Sequence, residues 1–490
     1  MHLKLWDRSA QRAASPKIKT NKEFRFRVAE PFDIISSLTR RKKELLMKTK
    51  KSLLVVPAIA LVFALAFTTC SNGSTGGGKD TGSTQGQLAF ERITDGENAG
   101  TWRVRKGTVT SGKVVIPAYY NGSTGRAARS AEDGDPVTEI GWKYDPEGGG
   151  AFSRTDITEI IIPDTIESIG FYAFQDCPNL SAITIPASVE RIGSWVFAEN
   201  RNLKNIIVEA GNQNYIVEDG ILYQIGGEYL SFTTNEYLND FVVEKKILHS
   251  YPSASGNITI PADVVIGTGA FFGTTITSVT IPEGVEIIEY HAFAHCNSLK
   301  SITIPASVKY IGSNVFQGST NLTSITVASG NPYYSSEGGI LYVTNNPYSF
   351  YVDYGMTGKV LFACPSAKGN ITIPVGVTAI GDGAFIWNTN LTGVTIPESV
   401  TYIGWTAFAA CFGIKSITIP ASVTKVESDA FSMWTSSQTI NVKGHANQAS
   451  ADAAWGEEWR KESTSTVDAN GIYYLDIKAT IKYWNGSSYQ

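Results

Sequence analysis

The stretch His291-Ala292-Phe293-Ala294-His295-Cys296 has the residue types of a metal centre. Two histidines four apart would share one face of a helix, and Cys296 would add a thiolate donor. A zinc hydrolase built this way also needs a glutamate base between the histidines, and here Ala292, Phe293 and Ala294 fill the gap. Gly73–Lys79 fits G-x-x-x-x-G-K, but Asp80 follows where a Ser or Thr would hold magnesium, and no strand precedes it. Glu457 and Glu458 are adjacent and read as solvated charges. There is no G-x-S-x-G and no H-E-x-x-H, and five histidines leave little general-base material. The residues therefore point to a chain without catalytic site, cofactor or metal.

The elements around HAFAHC explain it differently. The chain repeats. Pro282 to Pro305 is 23 residues, as are Pro163 to Pro186, Pro374 to Pro397 and Pro397 to Pro420, while Pro261 to Pro282 is 21. One unit reads LSAITIPASVERIGSWVFAENRN from Leu180, and another LKSITIPASVKYIGSNVFQGSTN from Leu299. In each unit Leu-x-x-Ile-x-Ile predicts a short strand with both isoleucines inward and the threonine between them outward. Proline ends that strand because it cannot donate to a ladder. Val189 and Ile192 turn inward on the return path, and Phe197 plugs the interior. Gly193, Gly312 and Gly404 stand at the turn between the return path and the plug. A single unit cannot cover its own apolar sides, so neighbours must stack into a solenoid. In register, HAFAHC aligns with YAFQDC (172–177) and TAFAAC (406–411). The histidines then fall at variable positions, expected to be exposed. Cys177, Cys296 and Cys411 fall in one small buried slot, which suits a thiol. These thiols belong to coils several repeats apart and Cys364 fills another packing slot, so no disulfide is expected.

These units resemble the BspA-like (Treponema-type) leucine-rich repeat family, whose pattern L-x-x-I-x-I-P-x-S-V-x-x-I-G-x-x-A-F-x-x-C is matched best by Leu299–Phe316 and Leu391–Cys411. The resemblance covers about residues 151–442. It implies a β-rich, α/β-type repeat solenoid of roughly 23-residue coils with parallel strands. Instead of the asparagine that follows the strand in common leucine-rich repeats, these units carry Ser188, Ser307, Ser399 and Ser422.

A longer repeat overlies the short one. GNQNYIVEDGILY (211–223) recurs as GNPYYSSEGGILY (330–342), and PSASGNITIP (252–261) as PSAKGNITIP (365–374). Islands near 211–250 and 330–363 are expected to be β-hairpins bulging from the solenoid. Their tyrosines, among them Tyr215, Tyr333 and Tyr334, either pack the hairpins onto the coils or offer a recognition surface. Residues 88–150 alternate and are turn-rich, as an N-terminal β cap should. Residues 443–490 read as a C-terminal cap, with a short helix carrying Trp455 and Trp459 followed by a final strand or hairpin. An open solenoid end would expose apolar side chains and a strand edge.

The formal charge of −4 hides a division. Residues 1–69 hold 15 Lys/Arg against 5 Asp/Glu, and the remainder 26 against 40. An acidic body excludes a nucleic-acid partner. Met47–Thr69 has the layout of a secretory signal, with Lys48, Lys50 and Lys51 ahead of the apolar run Leu53–Phe67. It resembles a bacterial lipoprotein signal, with Cys70 as the lipidated residue, although Phe67 and Thr69 depart from the usual types. Residues 1–46 ahead of it suggest that translation starts at Met47. Residues 70–87 form a tether, Gly/Ser-rich and spanning roughly 20–25 Å.

The outward strand positions Thr184, Thr280, Thr303, Thr326, Thr395 and Thr418 make a threonine ladder. It is either ordinary strand surface or a binding face. The family resemblance implies a surface adhesin that meets proteins or glycans of a host or of other bacteria, touching the membrane through its lipid alone. The alternatives are an envelope scaffold facing the periplasm and a carbohydrate-binding module built on the Trp/Tyr caps.

Overall fold

A computed structural model describes residues 87–94, 96–141, 150–226, 245–344, 346–347, 358–468, 471–484 and 486–490. The coils carry a face strand and a short back strand of two to four residues. Face strands such as Ala182–Ile185, Ser301–Ile304 and Ser416–Ile419 alternate exposed and buried residues. They pair in parallel with the next coil, Ser301 opposite Ser324 and Ile302 opposite Ile325. Back strands such as Ile287–Ile288 and Tyr310–Ile311 also pair in parallel. As the repeat requires, Ile183, Ile302 and Ile417 are at most 2% exposed. Burying each such side chain is worth about 1.5–3 kcal/mol, which only stacked coils can supply.

The plug phenylalanines stack along the interior in three runs. Phe152, Phe174 and Phe197 have ring centroids 5.8 and 6.0 Å apart. Phe271, Phe293 and Phe316 follow at 5.2 and 6.2 Å, and Phe385, Phe408 and Phe431 at 5.2 and 5.7 Å. The substituted serines have a specific task. Ser188, Ser307, Ser399 and Ser422 each donate to the carbonyl of Ile166, Val285, Val377 or Val400 on the preceding coil, at 2.7–2.8 Å. A hydroxyl thus performs the inter-coil capping that an amide could, and the turn after the proline closes.

The islands form the expected hairpins, and their described strands join the back sheet of the solenoid. Tyr215–Glu218 and Ile221–Gln224 form an antiparallel hairpin, Ile221–Gln224 pairs with Lys246–Ser250, and Lys246–Ser250 lies parallel to the back strand Val264–Ile266. The second island repeats this with Tyr334–Glu337, Ile340–Thr344, Lys359–Ala363 and Val377–Ile380. An island thus delivers its own back strand to the ladder, which satisfies main-chain groups that a bulging hairpin would leave bare.

The N-terminal segment is more than a cap. Ser111–Val115 pairs in parallel with Asp156–Ile161 as a first face strand, and Asp135–Ile140 pairs with the back strand Ser168–Ile169. Antiparallel strands Ala89–Arg92 and Trp102–Arg105 then cover the end. At the other end, Thr480–Tyr483 extends the face sheet beside Thr439–Val442. The helix Gln448–Trp455 starts at a capping box on Asn447 and lays Trp455 and, beyond it, Trp459 over the last coil, both at most 2% exposed. Trp455 donates to the Val423 carbonyl at 3.2 Å. The signal segment, Cys70 and residues 71–86 of the tether lie outside the described residues. Among the described residues no helix is long and apolar enough to cross a membrane.

Candidate interaction face

All six expected threonines are exposed on the face sheet. The ladder register makes the central coils the most regular. Thr259, Thr280, Thr303 and Thr326 lie opposite one another in four successive strands, and Asn257, Ser278, Ser301 and Ser324 form a parallel column two residues earlier. Neighbouring strands lie about 4.8 Å apart, so the two columns make a close grid of hydroxyl and amide groups. Thr277 and Ser278 both donate to the Asn257 Oδ1 at 2.8 Å, which orders one corner. Elsewhere the column changes character. Thr395 lies opposite Thr372 and Thr418 opposite Asn441, whereas Thr184 lies opposite Ile207 and Val115 opposite Ile161. Val115, Ile161 and Ile207 are 42–54% exposed. Strand main-chain groups are bonded between coils, so recognition on this face would fall to side chains.

The tyrosines do not join this face. Tyr215 and Tyr334 are 1% and 5% exposed, and their hydroxyls accept from the backbone N–H of Ile192 and Ile311 at 2.7 and 2.9 Å. Burial pushes both phenols well above their ordinary range. The reason is steric and polar together. Each ring fills the gap where an island interrupts the coils, and each hydroxyl replaces the missing back-strand acceptor. Tyr333 is half-buried. Tryptophans 455 and 459 are equally unavailable, being packed under the cap.

HAFAHC is not helical. His291 and His295 adopt left-handed φ of 54° and 55° in a turn, so the shared helical face does not exist. Neither histidine is fully exposed, because each packs among aromatic rings of neighbouring coils. His291 is edge-on to Trp195 at 5.5 Å, His295 lies 4.9 Å from Phe272, and the His291 Nε2 bonds the Gln317 Oε1. Cys296 faces inward, where its thiol donates to the Phe271 carbonyl at 3.1 Å. Burial pushes that thiol up to about 12 and the His291 imidazole down to about 3. Among the described residues no three His, Cys, Asp or Glu side chains are grouped to hold a metal ion.

The cysteine slot holds a donor ladder that residue type alone concealed. Cys177 and Cys411 also donate to plug carbonyls, those of Phe152 and Phe385. Asn200, Ser319 and Trp434 occupy the same slot and donate to Phe174, Phe293 and Phe408. What the slot requires is a donor, and its signal in the sequence is the set Cys, Asn, Ser, Trp at a fixed distance after the plug. In the islands, Asn212 and Asn331 make a comparable brace. Each amide donates to two carbonyls of the preceding turn, and each Oδ1 accepts from two backbone N–H groups.

Three solved structures similar to this chain share 19–22% identity. A leucine rich cell surface protein of Faecalibacterium prausnitzii is 22% identical, covering 84% of this chain and 96% of its own, with a TM-score of 0.36. The pneumococcal vaccine antigen PcpA is 20% identical, covering 75% and 82%, at 0.36. A leucine-rich repeat protein of Eubacterium ventriosum is 19% identical, covering 76% and 95%, at 0.33. No curated protein matches the chain. The model of the BspA type leucine rich repeat region matches in six copies over residues 148–236, 249–337 and 357–455, more than half of the sequence. With its coil register, phenylalanine stack and serine caps, the chain therefore belongs to the BspA-type leucine-rich repeat family.

Proposed function

We propose that this chain is a non-enzymatic interaction protein of the bacterial surface, anchored through a lipid on Cys70. Its uncharged Ser/Thr face meets extended proteins or glycans of a host or of neighbouring bacteria. The observation that carries this reading is the two-column grid, Ser278/Ser301/Ser324 beside Thr280/Thr303/Thr326, held in register by the ladder and exposed at every position but the half-buried Ser278. A regular row of short hydroxyl side chains offers repeated hydrogen bonds at little entropic cost, which suits a partner that is itself extended. Membership of a repeat family whose stacked coils build long continuous surfaces supports the same reading.

The test is binding of the purified chain to arrayed host matrix proteins and arrayed glycans. It compares wild type with a triple variant, Thr280→Lys, Thr303→Lys and Thr326→Lys. These exposed changes leave the core untouched, so the fold should persist. Loss of at least about tenfold in affinity is expected if the grid is the contact surface. Undiminished binding by the triple variant would remove the grid from the proposal. Protease added to intact cells separates a surface location from a periplasmic scaffold: digestion is expected, and full protection would favour the scaffold.

A further inference from the structure

The interior of the solenoid is divided where the islands enter. One core cluster runs from Val104 to Leu222, and the next begins at Ile221. The first seam therefore lies at the first island, and two buried or half-buried histidines are built into it. At its inner side the back strand Arg191–Ile192 has no back strand of the following coil against it among the described residues. Side chains take over instead. The Tyr215 hydroxyl accepts from the Ile192 N–H, and the His249 Nε2 bonds the Ile192 carbonyl at 3.1 Å. Nε2 must carry the proton in that contact, which leaves Nδ1 as a bare, buried acceptor with no partner. At the outer side the seam is braced by an aromatic cluster drawn from both blocks. Phe171, Tyr172, Trp195 and Ala198 come from one block, and Phe272 and Tyr290 from the other. His291 packs edge-on against Trp195 and Tyr290 within this brace, and its Nδ1 is likewise unpartnered.

The second island provides an internal comparison. Its tyrosine, Tyr334, bonds the Ile311 N–H as Tyr215 bonds Ile192. In the aligned segments SYPSASGNITIP and ACPSAKGNITIP, however, the residue before Ser250 is His249, and the residue before Ala363 is Phe362. The same architecture is thus closed once with a titratable ring and once without.

We propose that the first island is an acid-sensitive joint: protonation of His249, seconded by His291, releases the N-terminal block from the coils that follow, while the second island stays closed. A proton on the His249 Nδ1 would place an N–H donor and a charge where no acceptor waits. Around His249 the facing groups are the Tyr215 ring, 6.0 Å away and edge-on, and the Ile192 backbone. Of the cations on the two strands, Arg191 is paired to Glu97 and Glu190, and Lys246 to Glu218. Around His291 stand Gln317, Tyr290, Trp195, Phe272 and His295, with the buried Glu289 two residues before it. Glu199 and Asp176 lie on the preceding coils of the same edge, beside Arg201 and Arg154.

The sign follows from linkage. Burial pushes the His249 imidazole down to about 4, so the closed seam binds a proton more weakly than the open one. Closure is fully favoured above the ordinary histidine value near 6.5 and weakens as pH falls from there towards 4. At pH 4.5 this amounts to a rise of roughly 50–100-fold in the opening equilibrium at His249.

Hydrogen exchange of the full chain at pH 7.5 and 4.5, corrected for intrinsic rates, tests the proposal. Amides of Ile192, 246–250 and 264–266 are expected to lose protection by roughly that factor, while Ile311, 359–363 and 377–380 do not. His249→Phe should reduce the acid response of the first island to the part carried by His291, and Phe362→His should create one in the second. Equal responses of the two wild-type islands would overturn the proposal, and so would an unchanged acid response in His249→Phe. Should His249→Phe fail to fold, the wild-type comparison and Phe362→His decide the matter alone.

Discussion

Gly269 adopts φ +65°, and a Cβ placed there would lie 2.3 Å from the Trp195 indole of the preceding coil. Gly256 has nearly the same φ, +64°, with nothing within 4 Å of such a Cβ. The pair separates backbone strain from packing. Gly256→Ala should cost about 1–2 kcal/mol, the left-handed penalty alone. Gly269→Ala should cost about 2–5 kcal/mol, because overpacking adds to it. Denaturant titration followed by tryptophan fluorescence checks both values. The thiols give a second prediction at this scale. Burial pushes Cys296, Cys364 and Cys411 up to about 12, and Cys177 also upward. At pH 8 none should react with iodoacetamide in the native chain, and all four should react in denaturant; rapid native labelling would contradict the burial of the slot.

At the scale of the element, the ladder was legible wherever one residue type repeated at one place. Ile183, Ile302 and the plug phenylalanines announced themselves because apolar burial tolerates little else there. The donor slot was hidden because Cys177, Asn200, Ser319 and Trp434 share no type, only a donor and a position. Tyr215 and Tyr334 were ambiguous for a related reason. Composition cannot tell a tyrosine that presents its ring from one that spends its hydroxyl on a broken strand. The structure makes that distinction testable. Tyr215→Phe leaves the Ile192 N–H buried without its acceptor and should cost about 1–3 kcal/mol in thermal or chemical unfolding. A variant as stable as wild type would show that the hydroxyl does not hold the seam. The hairpins were legible, but their entry into the back sheet was not, because pairing of Lys246–Ser250 with Val264–Ile266 joins residues across the face strand Ser255–Thr259, a connection that local turn signals do not carry.

For the whole molecule, the caps decide whether the array holds together. Trp455 lies 2% exposed over the last coil, and its indole is bonded to the Val423 carbonyl. Trp455→Ala should cost about 3–5 kcal/mol and leave the terminal core open, so aggregation on heating should begin earlier than in wild type; light scattering during a thermal ramp reads this directly. Stacked coils bury the isoleucines and turn the threonines outward on the face strands. Single cysteines at neighbouring positions test this arrangement best, in a chain carrying Cys70→Ser and probed with a maleimide under native conditions. Thr280→Cys, Thr303→Cys and Thr326→Cys should all label within minutes, whereas Ile302→Cys between them should stay unlabelled until the chain unfolds. Rapid labelling at Ile302→Cys, or protection at the three threonine positions, would contradict the account.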